Sequence, residues 1–171
     1  GWMFSWLLGT EPGGVLSTDR GLAKNWWIGD SGDSFTFELD DDVYWHDGIQ
    51  FVADDVVFTF QDRLPAPDSI CTLCGQIRTG VKEVAVIDDH TVEFKLNQTE
   101  VTFFSNVSSR DTNHWLIPRR NFELKDDGGY KQIGDPIGTG PWKFVSRKLG
   151  ESLHLVANEN YHQKDNLPEF A

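Results

Sequence analysis

Between Asp33 and Leu64 the spacing of apolar residues changes from two to about four, and that switch forces the chain to mix strands with helices. In "DSFTFELDDDVYWHDG", Phe35, Phe37 and Leu39 alternate with Thr36 and Glu38, the pattern of a strand buried on one face. Asp40-Asp41-Asp42 reads as a bend, after which Val43 and Trp45 resume the alternation. Asp47-Gly48 is a turn pair, because glycine reaches positive φ without a steric penalty. From Ala53 the period lengthens: Val56, Phe60 and Leu64, flanked by Val57, make one apolar helical face. Asp54 and Asp55 fall in the first turn, where unpaired N–H groups and the macrodipole favour carboxylates. "PAP" (Pro65 to Pro67) stops the helix.

The remaining segments fit the same mixed class. "VKEVAVIDDHTVEFKL" predicts a hairpin, with Val84 and Val86 on one arm and Val92, Phe94 and Leu96 on the other, joined at Asp88-Asp89-His90. "TEVTFFSNVS" (Thr99 to Ser108) suggests a short helix behind a Thr N-cap, with Val101, Phe104 and Val107 on one side. "HWLIP" is an apolar run closed by Pro118, and "NFELKDDGGYKQIGD" reads as loop with one helical turn. "PIGTGPWKFVSRK" is a glycine-rich turn feeding a strand, and "ESLHLVAN" is a second strand joined to it through "LG".

Composition narrows the functional classes. Residues 1–70 hold 13 Asp/Glu against 3 Lys/Arg, whereas residues 71–171 hold 14 against 12, for a net charge of −12. A nucleic-acid partner would require a basic stripe, and none is visible. No apolar run approaches the roughly 20 residues that span a bilayer. The first residues have no initiating Met or charged region ahead of an apolar stretch, and both ends read as cut mid-element, which suggests a fragment. Cys71 and Cys74 form "CTLC", flanked by what read as loops. A local disulfide or two loop thiols is favoured over zinc, which lacks a second ligand pair, and over redox chemistry, which wants a βαβ context.

No catalytic constellation stands out. His46 and Asp47 are adjacent on strand-like backbone, so they point to opposite faces, and Asp47 is claimed by the turn. "GTGP" (Gly138 to Pro141) runs into a strand with no following Lys-Ser/Thr, which argues for a rigid bend over a phosphate cradle. Most of the 7 Trp belong in the core, with one or two left to face a cleft. Arg110 is an isolated cation that is either surface or a clamp for a ligand carboxylate.

Taken in order, "LAKNWWIGDSGDSFTFELDDDVYWHDGIQFVADDVVFTF", "VKEVAVIDDHTVEFKL", "IP", "PIGTGPWKFV" and "LVANENYH" resemble the family 5 extracellular solute-binding proteins of bacterial ABC importers. The shared pattern runs Leu-Ala-x-x-Trp, an alternating strand, Trp/Phe-His-Asp-Gly, an Ala-x-Asp-Val-Val helix, a hairpin, Gly-Thr-Gly-Pro and Asn-x-x-Tyr. Val52 departs from it where Thr or Ser usually caps the helix, the Asp40–Asp42 triplet replaces basic residues, and His162 replaces Trp or Tyr.

The resemblance implies an α+β, periplasmic-binding-protein type II-like fold in a chain about a third of full length, well past one domain when complete. It assigns 1–21 to an incomplete opening segment of lobe I, 22–133 to the extra subdomain of lobe I, and 134–171 to a return into the lobe I core. It implies capture of a peptide or related small solute in an interlobe cleft, delivery to ABC permease subunits, no enzymatic activity, no cofactor and no metal. It also implies a monomer outside the cytoplasm, in the periplasm or as a cell-surface lipoprotein. Arg110, Trp115, Ser69 and Cys71 become the expected ligand-binding residues. The rival readings are a glycoside hydrolase with paired carboxylates about 5–10 Å apart, and a carbohydrate-binding module presenting a Trp row.

Overall fold

A computed structural model describes residues 2–71, 74–100, 102–109 and 115–166. Its centre is a four-stranded antiparallel sheet in the order β3-β4-β6-β5, built from β3 (Ala23–Ile28), β4 (Ser34–Leu39), β5 (Val81–Asp88) and β6 (Thr91–Leu96). The register sets Phe35 opposite Phe94 and Phe37 opposite Val92, so the apolar residues of β4 and β6 share one face. Phe37 and Phe94 meet edge-on at 5.4 Å, and Phe94 also contacts Phe60 at 5.2 Å and Phe103 at 5.3 Å. Each fully buried ring contributes about 1.5–3 kcal/mol by burial, so this aromatic cluster holds the sheet to its covering helices.

One cover is α1 (Ala53–Val57), which runs directly into a π-helical stretch, Phe58–Arg63. The widening centres on Thr59. The buried Thr59 hydroxyl donates to the Asp55 carbonyl at 2.9 Å and accepts from the Ile117 N–H at 3.3 Å, tying the helix to the 115–118 segment. The Leu64 N–H then reaches back five residues to the Thr59 carbonyl, and Pro65 can offer no further donor. The expected apolar face survives, since Val56, Phe60 and Leu64 are all buried.

Several expectations need correcting. The residues after "CTLC" form a helix, α2 (Cys74–Gly80), in place of the expected loop. Cys74 and Ile77 lie one turn apart and both enter the core, a spacing too short to stand out in sequence. The third helix, α3 (Phe103–Asn106), is a single turn with Thr102 at its N-cap position, the residue type expected there, although the Thr102 side chain makes no capping bond; Phe103 occupies the core while Phe104 is half-buried. Val101, expected on its apolar side, lies outside the described residues. "NFELKDDGGYKQ" is a small hairpin of β7 (Phe122–Leu124) and β8 (Tyr130–Gln132), closed by Gly128 at φ 80°. The helical turn expected there precedes it as a 3-10 turn, Arg119–Asn121.

The opening residues are threaded through the molecule. Leu7 and Leu8 are fully buried; the Leu7 carbonyl accepts from Leu22 and Ala23, and Leu8 exchanges bonds with Val107 and Ser109. A minor ribbon, β1 (Gly9–Thr10) with β2 (Leu16–Ser17), follows. The last hairpin, β9 (Trp142–Lys148) with β10 (Ser152–Ala157), forms as expected around "LG" and is a separate two-stranded sheet. Among the described residues no helix is long and apolar enough to cross a membrane.

Candidate functional site

The "WHDG" and "GTGP" motifs lock together. The His46 backbone N–H donates to the Gly138 carbonyl at 2.9 Å, and its ring engages the same loop on both nitrogens. Nδ1 accepts from the Gly138 N–H at 3.2 Å, which leaves the proton on Nε2, facing the Gly140 carbonyl at 3.0 Å. Burial pushes the His46 pKa down, against the opposing bond to Gly140, so the ring is held neutral. Asn158 donates to the same Gly140 carbonyl at 3.1 Å, and its own carbonyl accepts from the Tyr161 N–H at 3.0 Å, which explains the Asn-x-x-Tyr spacing. Both glycines of "GTG" are required by close approach. A Cβ on Gly138 would strike the Met3 carbonyl, and one on Gly140 would lie 2.7 Å from the Met3 carbonyl carbon and the Trp2 oxygen.

Asp47 faces elsewhere. It is held in a bidentate pair by Arg120, with contacts of 2.7 and 2.6 Å, and the Arg120 guanidinium lies over the Trp45 ring at 5.6 Å. Burial opposes the Asp47 charge, yet the Arg120 and Ile49 hydrogen bonds prevail and lower its pKa. Asp55 is the buried carboxylate of this region. It accepts from the Trp45 indole N–H at 2.9 Å and the Val52 N–H at 3.2 Å, and burial raises its pKa against those bonds. This supplies the cap that Val52 cannot: the carboxylate at the third helical position reaches back to the capping residue's N–H, the half of a capping box that needs no Ser or Thr. His46, Asp47 and Asp55 therefore serve three separate structural bonds. Among the described residues no group of three or more His, Cys, Asp or Glu could hold a metal ion.

Of the four expected ligand-binding residues, three lie in two places and the fourth, Arg110, lies outside the described residues. Trp115 stacks on Phe4 with ring centroids 5.4 Å apart and planes 11° from parallel, while remaining 37% exposed. The adjacent Leu116 N–H donates to the Ser5 carbonyl at 3.0 Å, so the pair sits where the opening segment meets the 115–118 strand-like run. Trp2, two residues before Phe4 in the chain, is 73% exposed. Ser69 and Cys71 lie in the turn ahead of α2. Cys71 is disulfide-bonded to Cys74, the favoured expectation, and the Ser69 hydroxyl lies 3.2 Å from the Cys74 sulfur. Arg78 of α2 bonds the Pro65 and Ala66 carbonyls, folding this turn onto the helix and leaving Ile70 99% exposed. Phe4 escaped the sequence reading because an isolated Phe in an irregular segment carries no periodic signal.

The family description "Bacterial extracellular solute-binding proteins, family 5 Middle" matches residues 19–170. The chain belongs to this family. Among its relatives, the dipeptide-binding protein of Pseudomonas aeruginosa is 29% identical over 182 residues, covering 96% of this chain and 34% of that protein. Heme-binding protein A of Haemophilus influenzae is 29% identical over 163 residues, covering 86% of this chain and 30% of that protein. The solved structure of NikZ from Campylobacter jejuni in complex with Ni(L-His) superposes with a TM-score of 0.79 at 30% identity, covering 94% of this chain and 31% of that one. DppA from Helicobacter pylori, in complex with the peptide STSA, gives 0.75 at 26%, covering 94% and 34%. The chain thus spans about a third of its relatives' length, as a mixed α/β part of the type II periplasmic-binding-protein fold. The family is one of solute-binding proteins.

Proposed function

We propose that this chain is part of the substrate-binding component of an ABC importer, working outside the cytoplasm as a monomer. It would capture a peptide or related small solute and deliver it to membrane permease subunits without chemical change. The observation that carries this reading is the half-exposed Trp115, held flat against Phe4 by a fixed backbone. A pre-stacked, partly open aromatic face offers apolar contact at little ordering cost, which suits a ligand captured between two closing lobes. Arg110, five residues earlier, supplies the cation for a ligand carboxylate. Ser69 and Cys71 form a second, independent contact region on a turn stiffened by the disulfide. Capture by lobe closure shifts an open–closed population through contacts made only in the closed state. The acidic surface supports a partner other than nucleic acid.

The hydrolase alternative loses its footing in the bonding of the acids, because the buried Asp55 is committed to Trp45 and Val52 and Asp47 to Arg120. A thermal-shift panel on the natural full-length polypeptide, with di-, tri- and oligopeptides, nickel–histidine complexes and oligosaccharides, tests the proposal. Stabilisation by one class with the ligand recovered intact is expected. Turnover of any of these compounds would overturn it.

A further inference from the structure

The two sulfurs of the Cys71–Cys74 disulfide lie only three positions apart in the chain, yet their surroundings differ. Cys74 is the first residue of α2, 3% exposed and part of the core. Cys71 is half-buried and follows Ile70, which is 99% exposed. The Ser69 hydroxyl lies 3.2 Å from the Cys74 sulfur. A disulfide sulfur carries no hydrogen, so Ser69 donates and Cys74 accepts. We propose that this bond is a thiol-exchange site, in which an external thiolate attacks Cys71 and Cys74 is the leaving group.

Two requirements of exchange meet here. The attacked sulfur must be open to the incoming thiolate, and the departing sulfur leaves faster the better its negative charge is stabilised. Cys71 is the residue on the solvent side. At Cys74 burial opposes a charge, and the Ser69 hydroxyl counters that penalty. Its hydrogen bond, modest to a neutral sulfur, strengthens as the sulfur becomes anionic, since charge-assisted bonds are about twice as strong as neutral ones. Ser69 is held in position for this. Its N–H donates to the Ala66 carbonyl at 3.0 Å, and Arg78 of α2 donates to the same carbonyl at 3.2 Å. The helix makes the difference between the two sulfurs. With loop on both sides of "CTLC" they would be alike, and neither would be the preferred target.

In the step, a thiolate RS⁻ forms a bond to the Cys71 sulfur and the Cys71–Cys74 bond breaks. Its electron pair passes to Cys74, which becomes a thiolate held by the Ser69 hydroxyl. Cys74 then attacks the mixed disulfide and expels RS⁻, or a second RS⁻ attacks the external sulfur. The second route releases RSSR and leaves Cys71 and Cys74 reduced, with both electrons supplied by the external thiol.

The test pulses the natural full-length polypeptide with reduced glutathione, quenches it with acid and alkylates the released thiols. Peptide mass spectrometry then locates the glutathione, with the same protein unfolded in urea as reference. In the folded protein Cys71 should carry glutathione in about tenfold excess or more over Cys74, and in urea the preference should fall to within about threefold. Ser69→Ala should slow loss of the disulfide about threefold or more at the same glutathione concentration, and Ser69→Thr, which keeps the hydroxyl, should restore the rate. The urea midpoint of each variant checks that it is folded. Glutathione on Cys74 or equally on both in the folded protein would overturn the assignment. So would an unchanged rate in Ser69→Ala, or a folded protein that does not react while the unfolded one does.

Discussion

Replacing Asp55 with Ala should unfold the molecule more readily than any other single change in the "WHDG…ADD" region. Its carboxylate is the partner of the Trp45 indole N–H, whose ring is 2% exposed, and of the Val52 N–H at the head of α1. Leaving a buried donor without a partner costs about 1–3 kcal/mol, and loss of a helix cap adds about 1 kcal/mol. Relief of the buried charge offsets part of this, as the raised pKa of Asp55 indicates. The net expectation is ~1–3 kcal/mol, or about 2–12 °C in Tm for a chain of this size. Asp55→Asn keeps one acceptor oxygen and drops the buried charge, so it should lose roughly 1 kcal/mol or less. Urea denaturation followed by tryptophan fluorescence reads both variants. If Asp55→Ala proves as stable as the wild type, or if Asn and Ala are equally damaging, the capping account of this carboxylate is wrong.

Three further outcomes follow from the same geometry. Gly140→Ala should destabilise by about 1–3 kcal/mol, because the new methyl meets the Trp2 and Met3 backbone; thermal melts compared with Gly150→Ala, where a Cβ has nothing within 4 Å but φ is 75°, separate crowding from backbone strain. Replacing both Cys71 and Cys74 with Ser opens a four-residue loop and should lower stability by ~2 kcal/mol on the chain-entropy account, read as a drop in the urea midpoint. Acidification should weaken the fold. Burial lowers the folded pKa of His46 and of His162, so the unfolded chain takes up protons first as pH falls. The stability these neutral rings contribute is complete above their unfolded value of about 6.5 and is lost as pH drops from there towards their folded values. Denaturation series at pH 7.5 and 5.5 should show the loss, and His46→Gln should reduce it.

Much of this architecture was legible because its signals are periodic. Phe35, Phe37 and Leu39 announced β4, and Val92, Phe94 and Leu96 announced β6, since burial on one face leaves a mark every second residue. The π-helical stretch was not legible: Val56, Phe60 and Leu64 space alike in either helix, and the widening depends on Thr59 meeting Ile117 from a distant segment. The strand β3 was missed because "AKNWWI" lies at the sheet edge, with four of its residues exposed and no clean alternation. In the candidate site, the structural roles of Asp55 and of the "GTGP" bend could be inferred from local rules of helix starts and glycine turns. Their partners could not, because His46 to Gly138 and Asp47 to Arg120 are contacts between residues 92 and 73 positions apart. The Phe4–Trp115 pair was half-visible, as a tryptophan without its partner.

The central claim is that the conspicuous polar motif builds the fold while solute is gripped at the aromatic edge. Calorimetric titration of a stabilising solute into the natural full-length polypeptide and two variants tests this most directly. Trp115→Ala should keep the wild-type Tm to within a few degrees and lose tenfold or more in affinity, about 1.4 kcal/mol. His46→Gln should melt earlier, yet bind with unchanged affinity at a temperature where it is folded. Loss of binding in folded His46→Gln, with Trp115→Ala binding as the wild type does, would contradict the account.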